Sequence, residues 1–329
     1  MKQILDYLFE GNVLTKEEAR IILTRIGEGE FSESEIASFL TVFRMRPVKG
    51  EELAGFRQAL LNLSISVDFS DYNTIDVVGT GGDGKNTFNI STLSCFVLAG
   101  AGYKVTKHGN YGLSSVSGAS NMFEYFGYRF SNDASKLRKE VEEAGICFLH
   151  APMFHPAMKH VGPVRRALKV RTLFNMMGPI INPASPNNQL VGVSSLEIMD
   201  LYQQVFTQSG QNYMIVHSLD GYDEVSLTSD TRYVSNKTED NLSAADFGFK
   251  TVTQEELSGG NSVDDAAKIF KSILEGTGTD AQKNVVIANA ALGIQCISPD
   301  KSLADSVAEA TESLNSGKAF SSFNKLIHL

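Results

Sequence analysis

The spacing of the apolar residues changes near Thr74, and this change limits the folds that the chain can adopt. Before it, the apolar residues recur only at helical spacing. After it, short β-branched runs alternate with helical patterns, which is typical of a largely parallel sheet. The sequence therefore predicts an α/β fold, with a small all-helical domain over 1–66 and a larger α/β domain over 71–329 around a mainly parallel central sheet. We expect helices within about 155–180 to join the first domain.

The strand-like runs are short, and the helical patterns between them are longer. We predict strands over 75–78, 104–106, 146–149, 190–193 and 214–217. We predict helices over 91–101, 134–144, 155–169, 196–208, 266–274, 281–294, 303–314 and 320–327. Capping-box patterns at Thr15–Glu18 and Ser32–Glu35 predict the starts of two N-terminal helices. The irregular run over 220–260 indicates an excursion at the edge of the sheet.

Charge and composition exclude several classes of protein. The net charge is −9, which disfavours a general nucleic-acid binder because an acidic surface repels phosphates. No apolar run is long enough for a transmembrane helix, and Asp6 and Glu10 interrupt the N-terminal apolar stretch, unlike a signal peptide. Three scattered cysteines fit a reducing compartment. We expect a cytoplasmic protein without a membrane or nucleic-acid partner.

A glycine-rich loop, Gly79-Thr80-Gly81-Gly82-Asp83-Gly84, connects the first predicted strand to an apolar helix. Glycines allow successive backbone N–H groups to face one point, and the helix N-terminus adds partial positive charge, so this is an anion site. Ser91 and Thr92 place hydroxyls in the first helical turn. Asp83 would repel a bare diphosphate, but a bridging magnesium ion would reverse that effect. The sequence therefore predicts a site for a phosphate or diphosphate held with a metal.

Two further loops follow predicted strands and should lie at the same edge of the sheet. Lys107-His108-Gly109-Asn110 supplies a point charge for phosphate, and the serine-rich run after it, which includes Ser114 and Ser115, supplies hydroxyl donors. The adjacent acids Asp223 and Glu224 suit magnesium, which proteins commonly hold with one or two carboxylates and substrate phosphates.

A cationic helix over 155–169 stands out in this acidic chain. The helix carries Lys159, His160, Arg165 and Arg166, and it could face a carboxylate substrate, which an Arg would bind in a bidentate manner. His150, His155 and His160 are spaced five residues apart, which does not place two metal ligands on one helical face. We interpret these histidines as core, capping or substrate-lining residues.

Five motifs in this order resemble those of the anthranilate phosphoribosyltransferase family over essentially the whole chain. They are GTGGDG with TFNIST, KHGN with its serine-rich run, HPAMK with VR, RT.FN..GP..NPA, and the Asp-Glu pair after a strand. The resemblance implies transfer of the phosphoribosyl group from 5-phosphoribosyl 1-diphosphate (PRPP) to the amine of anthranilate, a step of tryptophan biosynthesis. It also implies two Mg²⁺ ions per subunit and a homodimer formed through the helical domains.

Carried over residue by residue, the resemblance implies a set of binding residues. Those for PRPP are Gly79, Gly82, Asp83, Thr87, Asn89, Ser91, Thr92, Lys107 and Ser120. Those for anthranilate are Gly79, His108, Asn110 and Arg165, and those for magnesium are Ser91, Asp223 and Glu224.

The chain departs from the family pattern at two places. Tyr111 stands where the family commonly has Arg, and Ala119-Ser120-Asn121 stands where it has Ser or Thr, then Ala, then Asp. Two alternatives therefore stay open: a pyrimidine nucleoside phosphorylase, which shares the architecture and a similar KHGN loop, and a non-catalytic relative that binds nucleic acid. The Asp223-Glu224 pair favours the diphosphate donor over the phosphorylase, and the net charge disfavours the nucleic-acid binder.

Overall fold

A computed structural model of the chain describes residues 1–112 and 116–329, so Ser114 and Ser115 lie outside the described residues. The described residues form two compact units. The first contains Met1–Val67 and Ala151–Ser185, and the second contains Asp68–His150 and Pro186–Leu329. The first unit is a helical bundle and the second is built on a mixed sheet, so the predicted fold class is confirmed.

The helices and strands have the following bounds. The helices are α1 (Lys2–Phe9), α2 (Lys16–Gly27), α3 (Glu33–Met45), α4 (Gly50–Asn62), α5 (Ile90–Gly100), α6 (Ala119–Tyr125), α7 (Ala134–Glu143), α8 (Ala151–Phe154), α9 (Met158–Leu168), α10 (Leu196–Thr207), α11 (Val263–Leu274), α12 (Asp280–Ile297), α13 (Leu303–Asn315) and α14 (Lys318–His328). The strands are β1 (Thr74–Gly79), β2 (Lys104–Gly109), β3 (Ile146–His150), β4 (Asn188–Gly192), β5 (Asn212–Ser218), β6 (Thr231–Ser235) and β7 (Glu239–Leu242). Short 3₁₀ turns occupy Leu173–Asn175, Gly178–Ile180, Ala244–Phe247 and Glu255–Leu257.

Both capping-box patterns mark real helix starts in the helical unit. The backbone N–H of Glu18 donates to Thr15 Oγ1 (3.3 Å), and the backbone N–H of Thr15 donates to Glu18 Oε2 (2.9 Å). Ser32 and Glu35 repeat this exchange at the start of α3. These reciprocal bonds satisfy backbone donors that the first helical turn leaves open. The starts of α2 and α3 are therefore confirmed.

The sheet of the second unit has the order β3-β2-β1-β4-β5-β6-β7. The first five strands in this order pair in parallel, and β6 and β7 add an antiparallel edge. This edge lies within the irregular run over 220–260, as the sequence predicted. Strand order reverses between β1 and β4, so the loops after these strands diverge and leave a crevice at the carboxyl end of the sheet. Ligands of open α/β sheets bind at such a point.

Helices α5 and α12 contribute much of the core of the second unit, and their apolar side chains are almost all buried. The three cysteines, Cys95, Cys147 and Cys296, are buried and unpaired. Among the described residues, no helix is long and apolar enough to cross a membrane.

Candidate functional site

The glycine-rich loop leaves the carboxyl end of β1 and leads into α5. Gly81 and Gly82 have φ of +67° and +76°, a left-handed conformation that glycine adopts without the steric strain of a β-carbon. The side chain of Asp83 accepts a hydrogen bond from the backbone N–H of Lys85 at 3.0 Å, which closes the tip of the loop. The sequence therefore folds into a tight strand-to-helix turn at the predicted position.

A distant segment of the chain braces this loop from behind. The backbone N–H of Gly259 donates to the carbonyl of Asn86 (2.7 Å), and the Asn86 side chain donates to the carbonyl of Gly260 (2.8 Å). The N–H of Phe88 donates to the carbonyl of Leu257 at 3.3 Å. These bonds fix the transition from the loop to α5. The end of the irregular 220–260 run therefore supports the glycine-rich loop, a role that the sequence pattern does not indicate.

Asp223, which follows β5, reaches across to the glycine-rich loop. Its Oδ2 accepts a hydrogen bond from the backbone N–H of Gly81 at 2.6 Å. Two glycines that are register partners in β1 and β4, Gly79 and Gly192, leave room for this approach. A β-carbon at Gly79 would lie 2.3 Å from Asp223 Oδ2, and one at Gly192 would lie 1.5 Å from the Asp223 carbonyl oxygen. Glycine at both positions is therefore required by packing against Asp223.

The acidic loop that carries Asp223 and Glu224 is anchored on both sides. Ser218 Oγ donates to the carbonyl of Glu224 at 2.6 Å. On the other side, the buried Asn289 of α12 accepts from the N–H of Val225 (3.0 Å) and donates to its carbonyl (2.8 Å). A buried amide that satisfies both backbone groups of one residue holds that residue firmly. The position of the acidic pair is thus set by β5 and α12 together.

Three carboxylates meet between the two loops. One oxygen from each of Asp83, Asp223 and Glu224 lies within 4.8 Å of the others. Removal from water and the neighbouring negative charges raise the pKa of both Asp223 and Glu224, because each group disfavours ionisation of the next. A divalent cation would relieve this repulsion, and oxygen donors are the ligands that Mg²⁺ prefers. The donor set therefore fits magnesium.

Four buried polar atoms around these loops have no hydrogen-bond partner among the residues that the structure describes. They are Thr80 Oγ1, Asn89 Oδ1, Tyr222 OH and Glu224 Oε2. Buried polar atoms are almost always paired in native proteins, because an unpaired one costs about 1–3 kcal/mol. Their concentration at one edge of the sheet indicates that a polar ligand completes the site.

The N-terminus of α5 is open toward the same loop. Asn89 occupies the N-cap position, but its side chain makes no capping bond and instead donates to the carbonyl of Ser117 at 3.0 Å. Ser91 and Thr92 lie in the first turn, half-buried and buried respectively. Thr87 is half-buried and pairs with Ser258 through a β-bridge. The first turn of α5 therefore keeps backbone N–H groups that can donate hydrogen bonds to an anion.

Lys107 and His108 lie at the end of β2 and are almost fully buried. The Lys107 ammonium donates to the carbonyl of Val77 at 2.8 Å, and its charge lowers the pKa of Glu224, although burial and the neighbouring acids outweigh this effect. The backbone N–H of His108 donates to Asp76 at 3.3 Å. Lys107 is therefore a buried cation close to the acidic cluster.

The loop after β2 shows how the chain accommodates its departures from the family pattern. Asn121 Oδ1 accepts hydrogen bonds from the backbone N–H groups of Gly112 (3.1 Å) and Gly118 (2.9 Å). An amide oxygen thus accepts the bonds that a carboxylate oxygen at this position could accept. Ser120 is fully buried, and its hydroxyl pairs with His150 Nδ1 at 2.9 Å. Its hydroxyl is consequently engaged within the protein.

Two other residues near this loop are exposed. Tyr111 packs edge-on against the His150 ring at 5.2 Å between centroids, and its hydroxyl donates to Glu124 at 3.4 Å. Asn110 is exposed, and its carbonyl accepts from the backbone N–H of Ser120 at 3.2 Å. The side-chain oxygen of Asn110 accepts from the N–H of Tyr111 at 2.8 Å, and no described residue accepts a hydrogen bond from its NH₂ group.

In the helical unit, Arg165 lies on α9 with its guanidinium 5.6 Å from the centroid of the Phe174 ring. Partial burial lowers the pKa of Arg165, and no carboxylate forms an ion pair with it among the described residues. His155, in the same unit, is buried, and burial lowers its pKa to about 4. Among the described residues, the one candidate metal cluster consists of Asp83, Asp223 and Glu224.

Sequence reasoning missed several residues that build the site. Thr80 and Tyr222 lie in loops that the sequence identifies but carry no predicted role, and Lys85, Gly192 and Asn289 lie outside the predicted site. Asn289 offered a signal, since it is an isolated amide in the apolar pattern of α12. Gly192 ends a buried strand opposite Gly79, but only the strand pairing reveals their common role.

The chain matches two family models that together cover most of its length. The model of the helical bundle domain of a glycosyl transferase family matches residues 2–64, and the model of the a/b domain of a glycosyl transferase family matches residues 71–320. Among curated relatives, the anthranilate phosphoribosyltransferase of Christiangramia forsetii is 55% identical over 326 residues, covering 99% of this chain and 98% of the relative.

Solved structures of the same kind of enzyme superpose closely. The anthranilate phosphoribosyltransferase of Thermus thermophilus has a TM-score of 0.92 at 32% identity, covering 98% of each chain. The Saccharomyces cerevisiae enzyme in complex with PRPP and Mg has a TM-score of 0.87 at 28% identity, covering 96% of this chain and 93% of the yeast chain. The same yeast enzyme in complex with 4-fluoroanthranilate has a TM-score of 0.85 at 26% identity, covering 96% and 92%. With these relatives and its motifs, the chain belongs to the anthranilate phosphoribosyltransferase family.

Proposed function

We propose that this protein transfers the phosphoribosyl group of PRPP to the amine of anthranilate, giving N-(5-phosphoribosyl)anthranilate and diphosphate. The observation that carries the proposal is the cluster of Asp83, Asp223 and Glu224 beside a glycine-rich loop whose neighbouring buried polar atoms lack partners. This arrangement suits a diphosphate bound with a divalent cation. The PRPP and Mg named for the yeast relative support the same ligands here.

PRPP binds at the carboxyl end of the sheet in this proposal. Backbone N–H groups of the first turn of α5 face the phosphate oxygens, which favours negative charge at this point. The residues proposed to contact the donor are Gly79, Gly82, Asp83, Thr87, Asn89, Ser91, Thr92 and Lys107. Ser120 remains a weaker candidate, because its hydroxyl is already paired with His150.

Magnesium is proposed as the cofactor, held by Asp83, Asp223, Glu224 and Ser91, with two ions per subunit. When bound, Mg²⁺ would offset the negative charge that develops on the leaving diphosphate. The three carboxylates repel one another without a cation, so their clustering is best explained by a bound ion. The unpartnered Glu224 Oε2 is a free oxygen for such an ion.

The reaction breaks the bond between C1 of the ribose and the diphosphate oxygen, and it forms a bond between C1 and the anthranilate nitrogen. The aromatic amine is already neutral at pH 7, so it needs positioning more than deprotonation. The nitrogen loses its proton to water after the new bond forms. The protein contributes fixed N–H dipoles and Lys107, which stabilise charge on the departing diphosphate without reorganising during the step. No strong general base is required.

Arg165 is proposed to bind the carboxylate of anthranilate. It carries a guanidinium without an ion-pair partner among the described residues, and guanidinium binds carboxylate in a bidentate manner. Within the α/β unit, Gly79, His108 and Asn110 are proposed to contact anthranilate, and the NH₂ group of Asn110, whose oxygen is already bonded to Tyr111, is suited to donate to a carboxylate oxygen.

A homodimer formed through the helical unit is also proposed. The surface of the helical unit carries large apolar side chains, including Phe9, which is 65% exposed, and Met45, which is 82% exposed. Exposed apolar patches commonly mark protein–protein interfaces. Light scattering should give twice the chain mass, and a Phe9→Asp, Met45→Asp variant should give the monomer mass; a monomeric parent protein would contradict this proposal.

The decisive test of the proposed activity follows the fluorescence of anthranilate after addition of PRPP, with and without magnesium. We expect a rapid loss of fluorescence that requires both PRPP and Mg²⁺. A folded protein that causes no loss, but cleaves uridine or thymidine in the presence of inorganic phosphate, would establish the phosphorylase instead. A gel shift of nucleic acid at physiological salt, without either activity, would establish the binding relative.

A further inference from the structure

Lys85, the first residue after the glycine-rich loop, has a position that the proposed mechanism does not use. Its ammonium lies over the aromatic ring of Tyr222, 4.4 Å from the ring centroid. Tyr222 precedes Asp223 directly and is 1% exposed. Gly221 lies under the side chain, since a β-carbon there would come within 3.9 Å of Lys85 Cε. The cation is therefore held between the two loops that form the candidate site.

Lys85 has no carboxylate partner within ion-pairing distance in the described part of the chain. Asp83 is only two residues away in the sequence. The Asp83 side chain instead accepts from the backbone N–H of Lys85. A cation on an aromatic face gains only about 0.5–1 kcal/mol where water has access. A multiply charged anion could therefore attract the ammonium at little cost.

The aromatic face determines where the ammonium can go. The Tyr222 ring is fixed by burial, and the carbonyl of Tyr222 accepts from the N–H of Ser218 at 3.1 Å. The backbone of Lys85 is held by the bond from its N–H to the Asp83 side chain, and the flexible side chain extends from this fixed point. The Lys85 ammonium is thus placed beside the residue that precedes Asp223, at the edge of the candidate site.

We propose that Lys85 is a further ligand of the donor's diphosphate and that Tyr222 is the positioning residue that holds its ammonium beside the site. This inference rests on the proposed function, because it requires PRPP as the donor. The leaving diphosphate gains negative charge as its bond to C1 breaks, so a nearby lysine stabilises both the bound donor and the departing group.

Calorimetric titration with inorganic diphosphate in the presence of excess Mg²⁺ tests this directly, independently of catalysis. We expect Lys85→Gln to weaken diphosphate binding about tenfold, which corresponds to one charge-assisted hydrogen bond. The same variant should raise the KM for PRPP by a similar factor and leave the KM for anthranilate within twofold. Lys250→Gln is the matched control, because it removes the same charge from an exposed position elsewhere in the α/β unit.

Substitutions at Tyr222 separate positioning from packing. Tyr222→Phe and Tyr222→Leu both remove the hydroxyl, but only Tyr222→Leu also removes the aromatic face, so Tyr222→Leu should bind diphosphate about threefold more weakly than Tyr222→Phe. In the Lys85→Gln background, the two Tyr222 variants should bind diphosphate equally, because the ring acts through Lys85. A purely structural role of Tyr222 would instead weaken binding equally in both backgrounds and overturn the positioning role.

The outcomes distinguish this inference from the proposed function. If the parent protein binds no diphosphate with Mg²⁺, the proposed donor is wrong. If the parent protein binds diphosphate and Lys85→Gln binds it equally well, Lys85 is not a ligand. Lys85→Arg, which keeps the charge, should retain binding within about threefold, so a tenfold loss in this variant together with a lowered melting temperature would identify a structural role instead.

Discussion

Substitution of Gly192 by alanine should displace the acidic loop without changing the identity of any residue proposed to bind metal or substrate. The new β-carbon would lie 1.5 Å from the Asp223 carbonyl oxygen and 2.5 Å from its carbonyl carbon. Real β-carbons essentially never approach another atom within 3.0 Å, so β4 or the acidic loop must move by about 1.5 Å. The loop is bonded to Ser218 and Asn289 on its other sides, so it cannot simply move away as a whole. We expect the displacement to distort the loop and to shift the carboxylates of Asp223 and Glu224. A misplacement of about 1 Å can cost about 100-fold in rate.

We therefore expect Gly192→Ala to lose about 1–3 kcal/mol of stability and at least about 100-fold in kcat/KM for PRPP. Anthranilate fluorescence gives the rate, and thermal unfolding gives the stability. Gly127→Ala is the matched control: its φ of +82° makes alanine strained by about 1–2 kcal/mol, but nothing lies within 4 Å of the new β-carbon. The control should lose stability and keep its rate. A Gly192→Ala variant with the parent rate and magnesium dependence would refute the role of close packing around Asp223.

Three further predictions concern charged side chains. Arg165→Ala should raise the KM for anthranilate at least about tenfold and change the KM for PRPP little; equal changes in both would contradict the carboxylate role. Asp223→Asn with Glu224→Gln should lower kcat and raise the magnesium concentration needed for half-maximal rate, and an unchanged magnesium titration would remove both from the metal site. Burial raises the pKa of Glu140 to about 7, so its protonated form stabilises the fold fully below pH 4.5, and this stabilisation is lost as the pH rises through 7. Relative to Glu140→Gln, the parent protein should lose on the order of 2–3 kcal/mol across this range in urea unfolding, whereas a constant difference between the two proteins would contradict this.

Much of the fold follows from local signals in the sequence. The capping boxes of α2 and α3 are complete within four residues, and β1 to β5 are short runs that the parallel part of the sheet largely buries. The β6–β7 edge was harder to predict. Strand β7 is Glu239–Leu242, a charged and exposed segment whose pairing with β6 depends on the sheet that it joins. Pattern alone cannot supply such tertiary information.

The candidate site likewise has parts that local sequence motifs predict and parts that depend on tertiary contacts. The glycine-rich loop and the Asp223-Glu224 pair are contiguous motifs, so the sequence identified them together with the metal that would reconcile them. The contacts that hold them are remote in sequence: Asn289 with Val225, Gly259 with Asn86, and Gly192 with Asp223. Each depends on strand order, which brings residues more than thirty positions apart into contact. Such pairs leave no local periodicity to detect.

The central claim is that Asp83, Asp223 and Glu224 hold divalent metal for a bound diphosphate donor. Electron paramagnetic resonance of Mn²⁺, used in place of Mg²⁺, counts the bound ions directly in the presence of PRPP. We predict two bound ions per chain for the parent protein, and the loss of at least one when Asp223→Asn and Glu224→Gln are combined, with the melting temperature of the variant as a check on folding. A folded variant that binds the same number of ions with the same affinity would contradict the account.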